Sequence, residues 1–388
     1  MVTRREILKL ALAGAFVPPM TGAEAVTSVK DRLPQSLPAG VAAIITNTLS
    51  LNPASLNTDW YGTMLMYGLL QWESRGFPEV RAFAQAWLDY HRKSPEASKY
   101  DGPVSRRFKA GGIEITSYCG QFGLAFPCYW MARLFHDATA SSVCTDIADF
   151  ILYQSARNRL GMVAHDDNAE FAIPDTCYFA AGPLILAAML SQEHGEVYRR
   201  QAILQLRTYT DVFLVKETGL ARTVLFKDGL GKTYWTRASG WLFWAMVTVL
   251  DNLPSGDPNT EQILKDLMLL AGGIKRVQDP GGGFHVLLDD PATPLETTGS
   301  AMFAAGLHWA IRKGWLADSF GSTVARAWSF VKGNVTDDGN VVHVYTGWAL
   351  PAEKGMMLMD RVKMGWIPGF ILLAANELTI DESPRKRA

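Results

Sequence analysis

The sequence predicts an all-α protein built as an (α/α)6 barrel of six inner and six outer helices. Three observations carry that prediction. Apolar residues recur at helical spacing along nearly the whole chain, and no stretch is rich in strand signals. Segments apolar on almost every side alternate with amphipathic ones. The all-apolar segments return at a spacing of about 60 residues, the mark of a repeated unit.

The six all-apolar segments are TDWYGTMLMYGLLQW, GQFGLAFPCYWMARLF, DTCYFAAGPLILAAML, ASGWLFWAMVTVL, TTGSAMFAAGLHWAI and MGWIPGFILLAANEL. They begin near residues 59, 120, 175, 238, 297 and 364. Between them lie PEVRAFAQAWLDYH, SVCTDIADFILYQSA, EVYRRQAILQLRTYTDVFL, NTEQILKDLMLLAGGI and STVARAWSFVKGNV, and PAGVAAIITNTL precedes the first. A helix apolar all round must be buried all round, whereas an amphipathic one can face water. Six of each, in alternation, place one ring inside another. An open solenoid also repeats helix pairs, but each of its units keeps an exposed face and its ends need polar caps.

The connections break the symmetry. Links from inner to outer helices are short: RGFP, HDATA, EHGE, LPSGDP and KGWLAD. Links from outer to inner helices are long, at roughly 93–117, 157–174, 216–236, 279–296 and 336–360. Long ordered loops in a compact domain usually carry function. All five lead into inner-helix N-termini, so they crowd one rim. That rim also gathers unpaired backbone N–H groups and the positive ends of helix dipoles. A pocket with a preference for anions is expected there.

Composition narrows the classes of function. With 48% hydrophobic and 19% charged residues the chain is an ordinary globular protein. Its 37 basic and 38 acidic residues leave no cationic excess to hold a nucleic acid. The 12 Trp, 12 Tyr and 18 Phe can fill a core, and they also suit the apolar faces of sugars. Gly281-Gly282-Gly283 lacks the Lys-Ser/Thr that would follow in a phosphate-binding loop.

The first 25 residues read as a twin-arginine export signal. Arg4-Arg5 is followed by a short apolar run from Leu10 to Val17, and Ala23-Glu24-Ala25 offers a small-x-small cleavage site. The run is too short to anchor the protein in a bilayer. A periplasmic or secreted protein is expected, with one barrel domain over residues 26–380 and a basic disordered tail at 381–388. Export would permit disulfides. Cys119, Cys128, Cys144 and Cys177 form no CxxC pair, and buried free thiols are expected.

The segment WTRASGW, Trp235 to Trp241, falls on the rim at the start of the fourth inner helix. Arg237 suits a carboxylate met in fork geometry. Ala238, Ser239 and Gly240 leave room for a ligand. Trp241 is four residues on, on the same helix face, and can offer a stacking wall. By spacing alone Arg237 can equally cap a neighbouring carbonyl, with Trp241 as core. Asp175 opens another inner helix and can be a plain first-turn acid.

Three segments resemble glycoside hydrolase families 88 and 105, the unsaturated glucuronyl and rhamnogalacturonyl hydrolases. Trp235, Arg237, Gly240 and Trp241 match a W-x-R-x-x-G-W pattern. Residues 281–316, GGGFHVLLDDPATPLETTGSAMFAAGLHWAIRKGWL, match a Gly-aromatic-His run followed by Leu-Asp-Asp and E-T-S-G-S-A-M-F. Residues 173–184, IPDTCYFAAGPL, match the segment that carries the catalytic aspartate. The resemblance spreads from about Leu37 to Leu378.

It implies removal of a 4,5-unsaturated uronic acid from the non-reducing end of lyase-generated oligosaccharides, by hydration of the C=C bond. Asp175 would be the catalytic acid/base. Arg237 would hold the uronate carboxylate, Trp241 would stack on the sugar, and Trp235 would help dry the rim. Thr298, Ser300 and His285 would supply further polar contacts, and Gln121, which departs from the family pattern, could still bond a sugar hydroxyl. Hydration needs neither metal nor cofactor, so none is expected. His165-Asp166-Asp167 fits no standard metal spacing and reads as pocket rim or solvated loop. A tension remains at Asp175, because the helix dipole lowers a carboxyl pKa while a proton donor needs it raised. Asp175 must then be shielded from water.

Two positions depart from the family pattern. The second inner segment usually carries an aspartate, where TSYCGQFG has Gln121. A histidine is usual in the strip before W-x-R, where GLARTVLF has Arg222 or Thr223 nearby. Two other readings follow. One is a uronidase or polysaccharide lyase acting on saturated sugar, pairing Asp175 with Asp166, Asp167 or Glu296. The other is a sugar-binding protein without catalysis.

Overall fold

The computed structural model describes residues 29, 31–94, 106–168, 171–345 and 362–379. Among them are twelve α-helices in six pairs: α1 (Ala39–Leu49), α2 (Trp60–Glu73), α3 (Pro78–Lys93), α4 (Ala125–Phe135), α5 (Ala138–Tyr153), α6 (Pro174–Ala188), α7 (Gly195–Phe213), α8 (Thr236–Asp251), α9 (Thr260–Arg276), α10 (Thr297–Arg312), α11 (Gly321–Gly333) and α12 (Trp366–Leu378). Even-numbered helices are the inner ring and odd-numbered ones the outer. Each inner helix packs on the next, and α12 packs back on α2. The closed ring rules out the open solenoid.

Burial follows composition. Every residue of α8 from Thr236 to Leu250 is buried. Every residue of α6 is buried except Asp175. In α3 the buried residues are Val80, Phe83, Ala84, Trp87, Leu88 and His91, a single stripe at helical spacing. The seam between α2 and α12 depends on glycine. A Cβ on Gly68 would lie 2.5 Å from the Gly369 carbonyl oxygen, and one on Gly369 would lie 2.4 Å from that of Met64. Only bare backbones can approach so closely.

The sequence shows no strand-rich stretch, yet among the described residues the long loops hold four two-stranded antiparallel ribbons. These are β1 (Arg107–Ala110) with β2 (Ile113–Thr116), β3 (Leu214–Val215) with β4 (Leu220–Ala221), β5 (Leu225–Phe226) with β6 (Gly229–Leu230), and β7 (Phe284–His285) with β8 (Leu295–Glu296). Strands of two residues are too short to show alternation. The first ribbon was missed although it carried a signal: Gly111 and Gly112, at φ +56° and +84°, form the two-residue turn that closes a hairpin. The second inner segment also starts later than expected. Cys119–Leu124 is a 3-10 turn, and α4 begins only at Ala125. Pro127 then falls in the first turn, where its missing N–H breaks no helical bond.

One continuous apolar core fills the barrel wall. A second small cluster, Trp235, Ala238, Val286, Leu287 and Tyr345, sits at the rim where the long loops meet. All four cysteines are buried and free. The expected signal at 1–25 and tail at 381–388 lie outside the described residues, as does much of the 336–360 loop. Among the described residues no helix is long and apolar enough to cross a membrane.

Candidate active site

Three inner helices bring their first turns together at the rim. Pro174 begins α6, with φ pre-set for the first turn, and Asp175 follows it. Arg237 is the second residue of α8. Glu296 is the N-cap of α10, where its carboxylate accepts the N–H groups of Thr298 (3.0 Å) and Gly299 (2.6 Å).

Asp175 is half-buried, but its Oδ1 is sealed from solvent and has no hydrogen-bond partner among the described residues. Burial pushes its pKa up to about 6. The opposing influences are weaker: the charges of Arg237 and His165, its own backbone N–H and the Trp241 indole N–H. That indole N–H lies near enough to act on the carboxyl, yet forms no hydrogen bond of normal geometry. Desolvation therefore outweighs the helix dipole and the neighbouring cation. The carboxyl is kept protonatable near neutral pH, as a proton donor requires.

Arg237 is 3% exposed. Its guanidinium lies between two indoles, 4.0 Å from the Trp235 ring centroid and 4.6 Å from that of Trp366. One N–H donates to the Tyr345 carbonyl. Burial lowers its pKa, while Glu296 and Asp175 support its charge. An arginine so clamped stays cationic and cannot swing. The clamp is held by the loops. Trp235 N–H donates to Thr223 Oγ1 (3.0 Å), Thr236 N–H to the Val286 carbonyl (3.0 Å), and Leu288 N–H to the Tyr234 carbonyl (2.8 Å). Thr223, in the strip where the family pattern has histidine, thus sets the backbone of Trp235.

The remaining residues divide. Trp241 is a correction to the expected stacking wall. It is 0% exposed, with rings of Tyr178, Phe179 and Phe370 at 5.1, 5.1 and 5.2 Å. It is core, as the spacing equally allowed, and it meets the site through its N–H alone. Trp235 and Trp366, 6% and 1% exposed, face Arg237, so the accessible aromatic surface beside them is that of the partly buried Trp60, 4.9 Å from Trp366. Ser300 is spent on structure: its hydroxyl donates to the Glu296 carbonyl (2.7 Å) and accepts Phe284 N–H (3.1 Å). His285 is held by its own loop, through the Thr293 carbonyl and Asp279 Oδ2 at 3.2 Å. Gln121 Oε1 accepts Thr116 N–H at 2.6 Å and so fixes the end of β2. The Thr298 hydroxyl is buried and has no partner among the described residues. Arg222 stacks on Tyr234 at 4.1 Å and bonds the Lys232 carbonyl.

The sequence reading undervalued His165. It lies 5.0 Å from the rings of Tyr118 and Phe171 and acts on the charge of Asp175. Only the His-Asp-Asp string before α6 signalled it. The two aspartates of that string have other work. Asp166 pairs with His165 and accepts Asn168 N–H. Asp167 accepts Arg106 N–H and the Ser117 hydroxyl, each at 2.8 Å, and ties its loop to the first ribbon. Asp59, the N-cap of α2, is also pushed to about 6 by burial, but its oxygens accept Tyr61 N–H and the Asn57 amide, each at 2.8 Å. Among the described rim carboxyls, Asp175 alone combines a buried oxygen without a partner and an adjacent fixed cation. No three His, Cys, Asp or Glu residues among those described are grouped to hold a metal.

The Glycosyl Hydrolase Family 88 profile matches residues 43–380. The chain belongs to that family. Like its relatives, this family 88 protein is a glycoside hydrolase. Unsaturated rhamnogalacturonyl hydrolase YesR of Bacillus subtilis (strain 168) is 25% identical to it over 363 residues, 90% of this chain and 93% of the relative. Among solved structures, a possible GH105 member from Klebsiella pneumoniae subsp. pneumoniae MGH 78578 matches with a TM-score of 0.72 at 18% identity, over 88% of this chain and 92% of its own. Unsaturated glucuronyl hydrolase from Bacillus sp. GL1 matches with a TM-score of 0.63 at 15% identity, over 92% and 97%. At such identities the two structures speak to the fold, the (α/α)6 barrel.

Proposed function

We propose that this family 88 hydrolase releases a 4,5-unsaturated uronic acid from the non-reducing end of lyase-generated oligosaccharides by hydrating its C=C bond. The observation that carries the reading is Asp175, kept protonatable to about pH 6 by burial beside the clamped Arg237. Arg237 holds the uronate carboxylate. The Asp175 O–H gives its proton to C4, and a water oxygen bonds to C5. The water's proton returns to the Asp175 carboxylate. The resulting C5 hemiketal opens to a ketone, and the C1 hemiacetal left behind releases the neighbouring sugar.

One carboxyl suffices for this sequence of steps. A direct displacement on a saturated glycoside needs a second carboxyl across the bond, and Asp166, Asp167 and Glu296 are committed elsewhere. The name of the full-length relative puts rhamnogalacturonyl substrates first in line for this chain. The paired arginines at Arg4-Arg5 support export by the twin-arginine route to the periplasm or beyond. Cell fractionation tests that point, since precursor found only in the cytoplasm would refute it.

The test of the reaction is optical. Lyase-digested pectin and glucuronate polymers carry a conjugated C=C–carboxylate that absorbs in the ultraviolet. Wild-type protein should abolish that absorbance on at least one substrate, while Asp175→Asn should not. Absorbance that persists on every substrate with wild-type protein would sink the proposal.

A further inference from the structure

The barrel has a second mouth, where the inner helices end. A cavity of about 210 Å³ opens there, at the far end from Asp175 and Arg237. Tyr67 and Gln71 of α2, Trp130 of α4, and Trp244 and Trp309 of α8 and α10 line it. Nothing in the hydration chemistry uses it.

Three features define what it would take. First, its walls are aromatic: Trp244 and Trp309 meet edge-to-face at 5.9 Å, and Trp309 and Trp130 are only partly buried, so both keep accessible surface. Second, two of its donors are unanswered. Gln71 Nε2 and Trp309 Nε1 are shielded from solvent and have no acceptor among the described residues. Buried donors without acceptors are uncommon in folded proteins and call for a partner. Third, its charges cancel. Lys313 is paired with Asp251, and Arg312 donates to Glu377 at 2.7 and 3.0 Å. The carbonyl ends of the inner helices add a negative potential. An anion has no counter-charge to meet here, unlike at the rim.

We propose that this lower mouth is a binding site for one neutral monosaccharide unit. The indole faces take the apolar face of the ring, and the Gln71 and Trp309 N–H groups donate to its oxygens. The volume is below the ~300–1,000 Å³ of drug-sized sites and suits a single ring rather than a chain. The site would let the enzyme hold a neutral sugar of its polymer while the rim handles the uronate. It stands independently of the hydration reading, because no step at Asp175 enters it.

The test is saturation-transfer-difference NMR on the full-length protein with D-glucose, D-xylose and L-rhamnose, and with D-glucuronate for comparison. At least one neutral sugar should bind saturably to wild type. Gln71→Met, which keeps the side-chain length and removes the donors, should weaken that binding about tenfold. Trp309→Leu should weaken it as much. Arg237→Met should leave it unchanged, which separates this mouth from the rim. Thermal melts confirm that each variant is folded, and Gln71→Met serves if Trp309→Leu is not. Absence of saturable neutral-sugar binding would overturn the proposal. So would binding of equal strength in Gln71→Met, or binding lost only in Arg237→Met.

Discussion

The two mouths of this barrel are made from the same six helices, and their chemistry is opposite. At the upper mouth helix N-termini converge, a fixed cation sits between indoles, and one buried carboxyl oxygen, that of Asp175, has no partner among the described residues. At the lower mouth helix C-termini converge, the lining Lys313 and Arg312 are paired, and two N–H donors have no acceptor among the described residues. Chain direction alone supplies the first difference, because all inner helices run the same way. The loops supply the second. Long loops end at the upper mouth and add Trp235, His165 and the rim cluster, while the short connections at the lower mouth add little. A parallel ring thus has one end suited to stabilising charge and one end suited to neutral contact.

The comparison can be broken at either end. The largest effect belongs to Asp175→Asn, which should lower kcat by about 10³-fold, in the range set by general acid catalysis. Steady-state ultraviolet assays measure it, and a variant retaining most of its activity would remove Asp175 from the mechanism. Next is Arg237→Met. It should lower kcat/KM on uronyl substrates by about 100-fold, the worth of one charge-assisted contact in a buried site. The effect should fall mostly on KM if Arg237 only holds the carboxylate.

Stability offers a third test, with a definite sign. The folded-state pKa of Asp175 is about 6 against 3.8 for the free group. The cost of its charge is therefore absent below about pH 3.8, grows between 3.8 and 6, and is full above 6. Asp175→Asn should be more stable than wild type by about 1–3 kcal/mol at pH 8, and most of that gain should be gone by pH 4. Denaturant melts at both pH values decide it. The smallest effect is expected at the lower mouth. Lys313→Met breaks a partly exposed ion pair and should cost under about 1 kcal/mol, with kcat unchanged. A large loss of activity there would mean that the two mouths are not separate.

Much of this was legible in the sequence, and what was not has a physical reason. All-round apolarity told the inner helices from the outer ones, because a helix such as α8 has no face left for water. The placement of Asp175 and Arg237 in the first turns of two inner helices was readable from short motifs at helix starts. Trp241 was misassigned because four-residue spacing fixes the face that two side chains share, not what that face meets. Here it meets Tyr178 and Phe179 of the neighbouring helix. Ser300 and His285 match the family pattern by position, yet their polar atoms serve the Glu296 turn and the 279–293 loop. The lower cavity was invisible for a different reason. Gln71, Trp130 and Trp309 come from three helices far apart in the chain, and no local pattern places them together.

The central claim is that burial keeps one carboxyl at the upper mouth protonatable near neutral pH. Its most direct test is a titration of the Asp175 side-chain carboxyl by 13C NMR, with Asp59→Asn protein to remove the other carboxyl raised to about 6. The account predicts a midpoint close to 6. A midpoint near 3.8 would mean that water and the helix dipole govern the site, and Asp175 could not then be the proton donor at neutral pH.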